Sequence, residues 1–253
     1  MLLTHFRRQL ILSSSEPTST IKATSILPAI VTALKGRTLG EAPITFCTPN
    51  ILELNQIYDA AQSEPFSLMG HPAWWSTVDS LNLGTAFRMD LEQLSRRPVS
   101  DRDPSKGNMT FLVAQGIVQK AVNLLPFFQH LIVKCGDQGV IVAIRISPKD
   151  ALTSVWAHKR SNPLERYIIA HGRSKEITLI QHFPSLPIKM ISNVTGAGDS
   201  FVGALLACLA HDSNAFYDPK GLHDIITTAQ RAAILTLQSH SAVSPLLSQI
   251  DTP

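Results

Sequence analysis

The sequence has few cysteines, few charges and no long apolar run, and each shortage argues against a class of protein. The three cysteines, Cys47, Cys135 and Cys208, lie far apart in 253 residues, which disfavours a disulfide framework or a cysteine metal site and favours a reducing compartment. Charged residues make up 16% of the chain, below the usual figure of about 25%. This low fraction is typical of a chain with a large buried core.

A basic stripe and a membrane-length segment are also absent, so neither nucleic acid nor a membrane is expected as a partner. The net charge is only +3, and nucleic-acid binding needs clustered lysine and arginine. The longest strongly apolar segment, Phe201 to Ala210, is far shorter than the roughly 18 residues that span a bilayer. We therefore expect an intracellular, cytoplasmic protein, although Arg7 and Arg8, with no acidic residue before Glu16, leave a mitochondrial transit peptide open.

Short apolar runs alternate with segments of helical spacing through most of the chain. The runs predict strands at residues 8–13, 44–47, 130–134, 140–146 and 177–181. The helical spacing predicts helices at residues 22–35, after residue 50, at about 111–122, from 199 to about 209, and at 225–238. This alternation predicts one α/β domain over residues 1–253, with a mainly parallel sheet and helices on both faces.

Two stretches interrupt this alternation. Residues 63–108 contain four prolines and a run of mixed charges, which predicts an irregular insertion with one helix near residues 86–94. Residues 147–176 are polar and predict an extended surface connection.

The segment Thr195-Gly196-Ala197-Gly198-Asp199 carries the clearest chemical signal. Its two glycines let the backbone approach a ligand closely, and the apolar run that follows predicts a buried helix. The start of that helix would present N–H groups and the positive end of its dipole to a phosphate. Asp199 would lie beside this anion site and could accept a proton from an attacking hydroxyl. The alternative is a glycine turn in which Asp199 only favours the helix start.

Two other segments have ordinary structural interpretations. Asn50 and Glu53 stand three residues apart ahead of an apolar helical pattern, which is the spacing of a reciprocal capping box. Gly136 and Gly139 separate two apolar runs, which is typical of a turn between paired strands.

Taken together, these segments resemble the ribokinase-like (PfkB) family of sugar and nucleoside kinases. Residues 195–199 resemble the family's C-terminal GAGD signature, although Asn193 stands where the family often has aspartate. Residues 48–53 resemble its N-x-x-E element, and residues 134–139 resemble its glycine turn at the nucleotide phosphates. A narrower resemblance, to eukaryotic pseudouridine kinases that are often fused to a pseudouridine-5′-phosphate glycosidase, rests on residues 15–23.

The resemblance implies a role for each matching residue. Asp199 would be the catalytic base, and the backbone N–H groups of Gly196, Ala197 and Gly198 would form the anion hole. Asn50 and Glu53 would help to hold Mg²⁺, usually through water. The residues that would border ATP are Lys134, Gly136, Gly139 and Thr195 near its phosphates, and Ala233, Leu237 and Val243 near its adenine.

The implied reaction is transfer of the ATP γ-phosphoryl group to a primary hydroxyl of a small sugar or nucleoside, with pseudouridine the first candidate. The chain resembles only the C-terminal part of the family fold, so the N-terminal strands and the β-lid are expected to be missing. One alternative is therefore a non-catalytic nucleotide-binding half-domain that acts only with a partner chain or a second copy, or not at all. A cofactor loop in a methyltransferase-like Rossmann fold is disfavoured, because the glycine turn lies near the C-terminus.

Overall fold

The computed structural model describes residues 23–34 and 42–250, which build a five-stranded sheet between two layers of helices. The strands are β1 (Ile44–Cys47), β2 (Phe128–Lys134), β3 (Val140–Ile146), β4 (Tyr167–His171) and β5 (Ile177–Phe183), in the spatial order β1-β2-β3-β5-β4. The strand expected at residues 8–13 and most of the pseudouridine-kinase-like segment, residues 15–22, lie outside the described residues.

The α-helices of the described ranges are α1 (Leu27–Leu34), α2 (Ile51–Gln62), α3 (Pro72–Ser80), α4 (Thr85–Ser95), α5 (Phe111–Ala114), α6 (Ile117–Leu124), α7 (Pro148–Ala151), α8 (Ala197–His211) and α9 (Pro219–Leu237). The single helix expected near residues 111–122 is divided into α5 and α6. Gly116 divides it, because its φ of 65° is left-handed and cannot continue an α-helix. None of the helices in the described ranges is long and apolar enough to cross a membrane.

The strands pair differently from the mainly parallel sheet that the alternation predicts. β1 and β2 are parallel, whereas β2–β3, β3–β5 and β5–β4 are antiparallel. The links between β2 and β3 and between β4 and β5 are five residues each, 135–139 and 172–176. Links this short allow only antiparallel pairing, since a parallel crossover needs a dozen or more residues. The α/β class is confirmed, and the sheet is mixed.

Both faces of the sheet are covered, as expected. On β3, Ile141 and Ala143 pack into the apolar cluster that contains α1 to α6. Val142 and Ile144 point to the opposite face and pack with α8 and α9. Successive strand residues point to opposite faces, so a continuous apolar run such as β3 is the pattern of a strand buried on both sides.

Residues 63–108 and 147–176 are more regular than expected, and both expectations are corrected. The first stretch contains two α-helices, α3 and α4, where one was predicted. Pro72 begins α3 at the first helical position, where a missing N–H costs nothing, so this proline starts a helix. The second stretch contains the edge strand β4 and the fully buried Trp156, whose Nε1 donates to the carbonyl oxygen of Phe216 at 3.1 Å. β4 was not predicted because polar residues surround its short apolar run.

Candidate active site

The carboxyl ends of the parallel strands β1 and β2 bring Asn50 and Lys134 side by side. The Lys134 N–H donates to the carbonyl oxygen of Pro49 at 2.8 Å, which extends the ladder just beyond β1. Ligand clefts in open α/β sheets lie at this edge. A cavity of about 740 Å³ opens there, and Asn50 and Lys134 both line it.

Asn50 and Glu53 form the capping box that their spacing predicts. The Asn50 Oδ1 atom accepts from the Glu53 N–H, and the Glu53 Oε2 atom accepts from the Asn50 N–H, both at 2.9 Å. Glu53 is 4% exposed and does not line the cavity. The capping role is therefore confirmed, whereas the metal role stays a prediction.

The anion loop, residues 193–199, is the end of the segment that follows β5 and includes the first three residues of α8. The Asn193 Oδ1 atom accepts from the Thr195 N–H at 2.9 Å, which holds the approach to the loop. Gly196 has a left-handed φ of 81°, and a Cβ placed on it would overlap the carbonyl oxygen of Ala242. Only glycine therefore fits here without a shift of backbone. An asparagine carbonyl accepts this N–H as an aspartate oxygen would, so Asn193 in place of aspartate keeps the turn.

The first turn of α8 faces the cavity. Gly196, Ala197, Gly198 and Asp199 all line it, and Asp199 is exposed there. The first N–H groups of an α-helix have no partner within the helix, and together with the helix dipole they favour an anion at this end.

The Lys134 ammonium links the anion loop to the Asn50–Glu53 element. A Cβ on Gly198 would lie 3.4 Å from the Lys134 Nζ atom. Burial lowers the pKa of Lys134, and the negative charges of Glu53 and Asp199 act against that shift. One cation thus interacts with carboxylates from both sequence elements.

The glycine turn, residues 136–139, forms the neighbouring wall. Gly136, Asp137 and Gly139 line the cavity, and the two glycines have left-handed φ angles of 61° and 93°. A Cβ on Gly139 would overlap the carbonyl oxygen of Phe183. The turn is closed by the Cys135 N–H, which donates to the Gly139 carbonyl oxygen at 2.8 Å.

The far end of the cavity is apolar. Ala233 and Leu237 line it from one face of α9, while Ile188 and Ile191 line it from the segment after β5. Val243, the third residue that the resemblance associates with adenine, is 60% exposed and does not line the cavity. Thr195 is exposed at the cavity wall.

Three polar residues that line the cavity were not predicted as site residues from the sequence. Gln230 lies on the cavity side of α9, three residues before Ala233, and helical spacing could have found it. Its Oε1 atom accepts from the Leu186 N–H at 3.0 Å. Lys106 and Ser185 come from separate loops and meet over the glycine turn, where the Lys106 Nζ atom donates to the Ser185 Oγ atom at 2.9 Å. No local pattern indicates such a long-range contact.

The described residues suit Mg²⁺ only as an ion that takes most of its ligands from water and phosphate. They contain no cluster of three or more histidine, cysteine, aspartate or glutamate side chains that could hold a metal. Mg²⁺ usually keeps several waters and binds through one or two protein carboxylates plus substrate phosphates. Asn50 lines the cavity, so it could contact such an ion through water, whereas the buried Glu53 lies outside the lining and could contribute its negative charge only.

Comparison with known proteins confirms the family resemblance. Residues 177–249, which include the anion loop, α8 and α9, match the model of the pfkB family carbohydrate kinases. The chain is also 30% identical over 233 residues to the pseudouridine-metabolizing bifunctional protein of Schizosaccharomyces pombe. That match covers 91% of this chain and 25% of the relative, so the chain spans about a quarter of its length.

Solved kinase structures show a weaker likeness. The chain is 13% identical to phosphofructokinase-2 from Escherichia coli in complex with potassium, with a TM-score of 0.40, covering 92% of this chain and 52% of that one. It is 14% identical to the ribokinase from Cryptococcus neoformans var. grubii in complex with ADP, with a TM-score of 0.37, covering 92% of this chain and 62% of that one.

Proposed function

We propose that this chain, which resembles the pfkB family carbohydrate kinases, transfers the γ-phosphoryl group of ATP to a primary hydroxyl of a ribosyl compound. The observation that carries the proposal is the meeting of three elements at one cavity: the first turn of α8 with Asp199, the glycine turn, and Lys134. A carboxylate next to a set of N–H donors and a cation is suited to deprotonating an alcohol while it attacks phosphorus.

In this mechanism Asp199 accepts the proton of the attacking hydroxyl as the new oxygen–phosphorus bond forms. The N–H groups of Gly196, Ala197 and Gly198 donate to the oxygens of the transferring group, and ADP departs on the opposite side. Lys134 adds a positive charge beside the same group. Mg²⁺, held near Asn50 and Glu53 through water, would neutralise charge on the nucleotide phosphates.

Pseudouridine is the acceptor that we propose first. Support comes from the 30% identity to a pseudouridine-metabolizing protein, and the match extends over nearly the whole of this chain. Phosphoryl transfer depends strongly on how the acceptor is positioned, so the acceptor is best identified by comparing rates for pseudouridine, uridine and ribose.

The central test replaces Asp199. We expect Asp199→Asn to lower acceptor-dependent ADP release by at least about a hundredfold, the usual contribution of a general base, while the Kd for Mg·ATP changes less than about threefold. Release measured by a coupled assay and binding measured by calorimetry separate these two effects. The matched control is Asp212→Asn at the exposed C-terminal end of α8, which should behave as the unmodified chain.

Two results would count against the proposal. Equal turnover by Asp199→Asn and the unmodified chain would remove the carboxylate from the mechanism. Tight ATP binding with no turnover for any of the three acceptors would favour the non-catalytic half-domain.

A further inference from the structure

A buried arginine–histidine pair lies behind the glycine turn, away from the cavity. Arg166 and His182 are 6% and 1% exposed. The Arg166 Nη1 atom donates to the Pro98 carbonyl oxygen at 2.9 Å and lies 3.3 Å from the His182 Nδ1 atom. Its Nη2 atom donates to Asp101 at 2.9 Å. The pair thus connects residues 98–101, in the insertion between β1 and β2, to strand β5.

The chemistry of the pair sets the protonation of His182. A guanidinium has only donors, so the His182 Nδ1 atom must act as the acceptor. The Nε2 atom then carries the proton and donates to the Gln138 carbonyl oxygen at 2.7 Å. Burial, with Arg166 as a smaller cause, lowers the pKa of His182 to about 4, so the ring is neutral at pH 7.

The Gln138–Gly139 peptide is therefore held at both ends. Its carbonyl oxygen accepts from His182 at 2.7 Å, and its N–H, from Gly139, donates to the Gly136 carbonyl oxygen at 3.1 Å. Gly136, Asp137 and Gly139 line the cavity. A rotation of this peptide would move the wall that faces the bound nucleotide.

We propose that Arg166 and His182 are positioning residues that fix the Gln138–Gly139 peptide, and with it the glycine turn, for the phosphates of a bound nucleotide. The inference rests on the proposed function for the identity of the ligand. The orientation of the turn in the free protein does not depend on that identity.

Two substitutions of His182 separate the contacts of its two ring nitrogens. His182→Gln places an amide near the Nε2 position and keeps a donor for the Gln138 carbonyl. His182→Asn is shorter, keeps an acceptor near the Nδ1 position for Arg166, and loses that donor. We expect the Kd for Mg·ATP to rise about fivefold to tenfold in His182→Asn, because losing the bond that holds the turn lowers the fraction of free chain whose turn is oriented for the nucleotide, and less than about threefold in His182→Gln.

Amide hydrogen exchange of the free chain tests the same point without nucleotide. The Cys135 and Gly139 amides, which close the turn, should exchange faster in His182→Asn than in His182→Gln. Asp101→Asn is the control, because it weakens a contact to a 62% exposed carboxylate and leaves the His182–Gln138 bond in place. It should match the unmodified chain in exchange and in Kd.

A measurement on the unmodified chain covers the case in which a variant does not fold. Nitrogen-15 spectra of the His182 ring should show the neutral form with the proton on Nε2 at pH 7. A proton on Nδ1, or equal exchange in the two His182 variants, would overturn the proposal. If the unmodified chain binds no ATP, the proposed function fails, while the exchange data and ring spectra still decide the positioning role.

Discussion

At the scale of single residues, the two glycines of the anion loop, which are separated by one alanine, meet different constraints. Gly196 has a left-handed φ of 81°, and its missing Cβ leaves room for the Ala242 carbonyl oxygen. Gly198 has ordinary helical geometry, and a Cβ there would meet only the Lys134 Nζ atom, at 3.4 Å. A side chain is therefore strictly excluded at Gly196 and only mildly disfavoured at Gly198.

This difference predicts unequal costs of alanine at the two positions. Gly196→Ala should lower the free energy of unfolding by about 2 kcal/mol or more, from left-handed strain and overlap with backbone. Gly198→Ala should change it by less than about 1 kcal/mol, since alanine also favours the helix. Urea unfolding of both variants measures the difference. Equal losses of unfolding free energy in the two variants would mean that Ala242 does not pack closely against Gly196.

At the scale of elements, the start of α2 has an observed capping box, formed by Asn50 and Glu53, and a proposed role in holding Mg²⁺. The capping box occupies one oxygen of each side chain. The proposed contact with hydrated Mg²⁺ would use the negative charge of Glu53. Substitutions that keep the cap but remove the charge can separate the two roles.

Glu53→Gln keeps an oxygen for the Asn50 N–H but removes a negative charge that acts on the buried Lys134, so we expect the free energy of unfolding to fall by about 1–2 kcal/mol with the capping box intact. The Mg²⁺ concentration that gives half-maximal ATP binding should rise several-fold.

Asn50→Ala removes the cap and should cost about 1 kcal/mol of stability. Denaturant unfolding and Mg²⁺ titrations at fixed ATP give both quantities. An unchanged Mg²⁺ requirement in Glu53→Gln would leave the element with its capping role alone.

The elements also show how far the sequence predicts this fold. β1 and β3 have the expected bounds because short apolar runs between turn residues identify buried strands. β4 was not predicted because its short apolar run lies between polar residues. α3 was not predicted because Pro72 was interpreted as interrupting regular structure. In the site, the anion loop and glycine turn were visible as local glycine patterns. The sequence does not predict the contacts of Lys106 and His182, since their partners lie 31 to 79 residues away along the chain.

At the scale of the whole molecule, the described sheet separates two apolar clusters, and the cavity opens where β1 and β2 end. α2 starts at this edge from one side of the sheet, and α8 starts there from the other. Two helix N-termini therefore approach the same cavity from opposite layers. This arrangement lets residues far apart in the chain, Asn50 and Asp199, line one site.

The buried His182 ring makes the stability of the whole fold depend on pH. Its folded pKa of about 4 lies below the ordinary value of 6.5, with burial the main cause, Arg166 adding to it, and Gln138 and Asp101 opposing it. Between these two values the unfolded chain binds more protons than the folded one. The free energy of unfolding should thus be unaffected by this group above pH 6.5 and fall by up to about 3 kcal/mol as the pH drops to 4.

The matched variant for this prediction is His182→Gln, which keeps a donor to Gln138 but does not titrate. Denaturant unfolding from pH 7.5 to 4 should show a shallower loss of stability in the variant than in the unmodified chain, with the two profiles separating below pH 6.5. Parallel profiles would mean that His182 is protonated equally in the folded and unfolded chains. Such a result would be incompatible with a neutral ring between Arg166 and the glycine turn, because a guanidinium cannot accept a hydrogen bond from the Nδ1–H group of a charged imidazole.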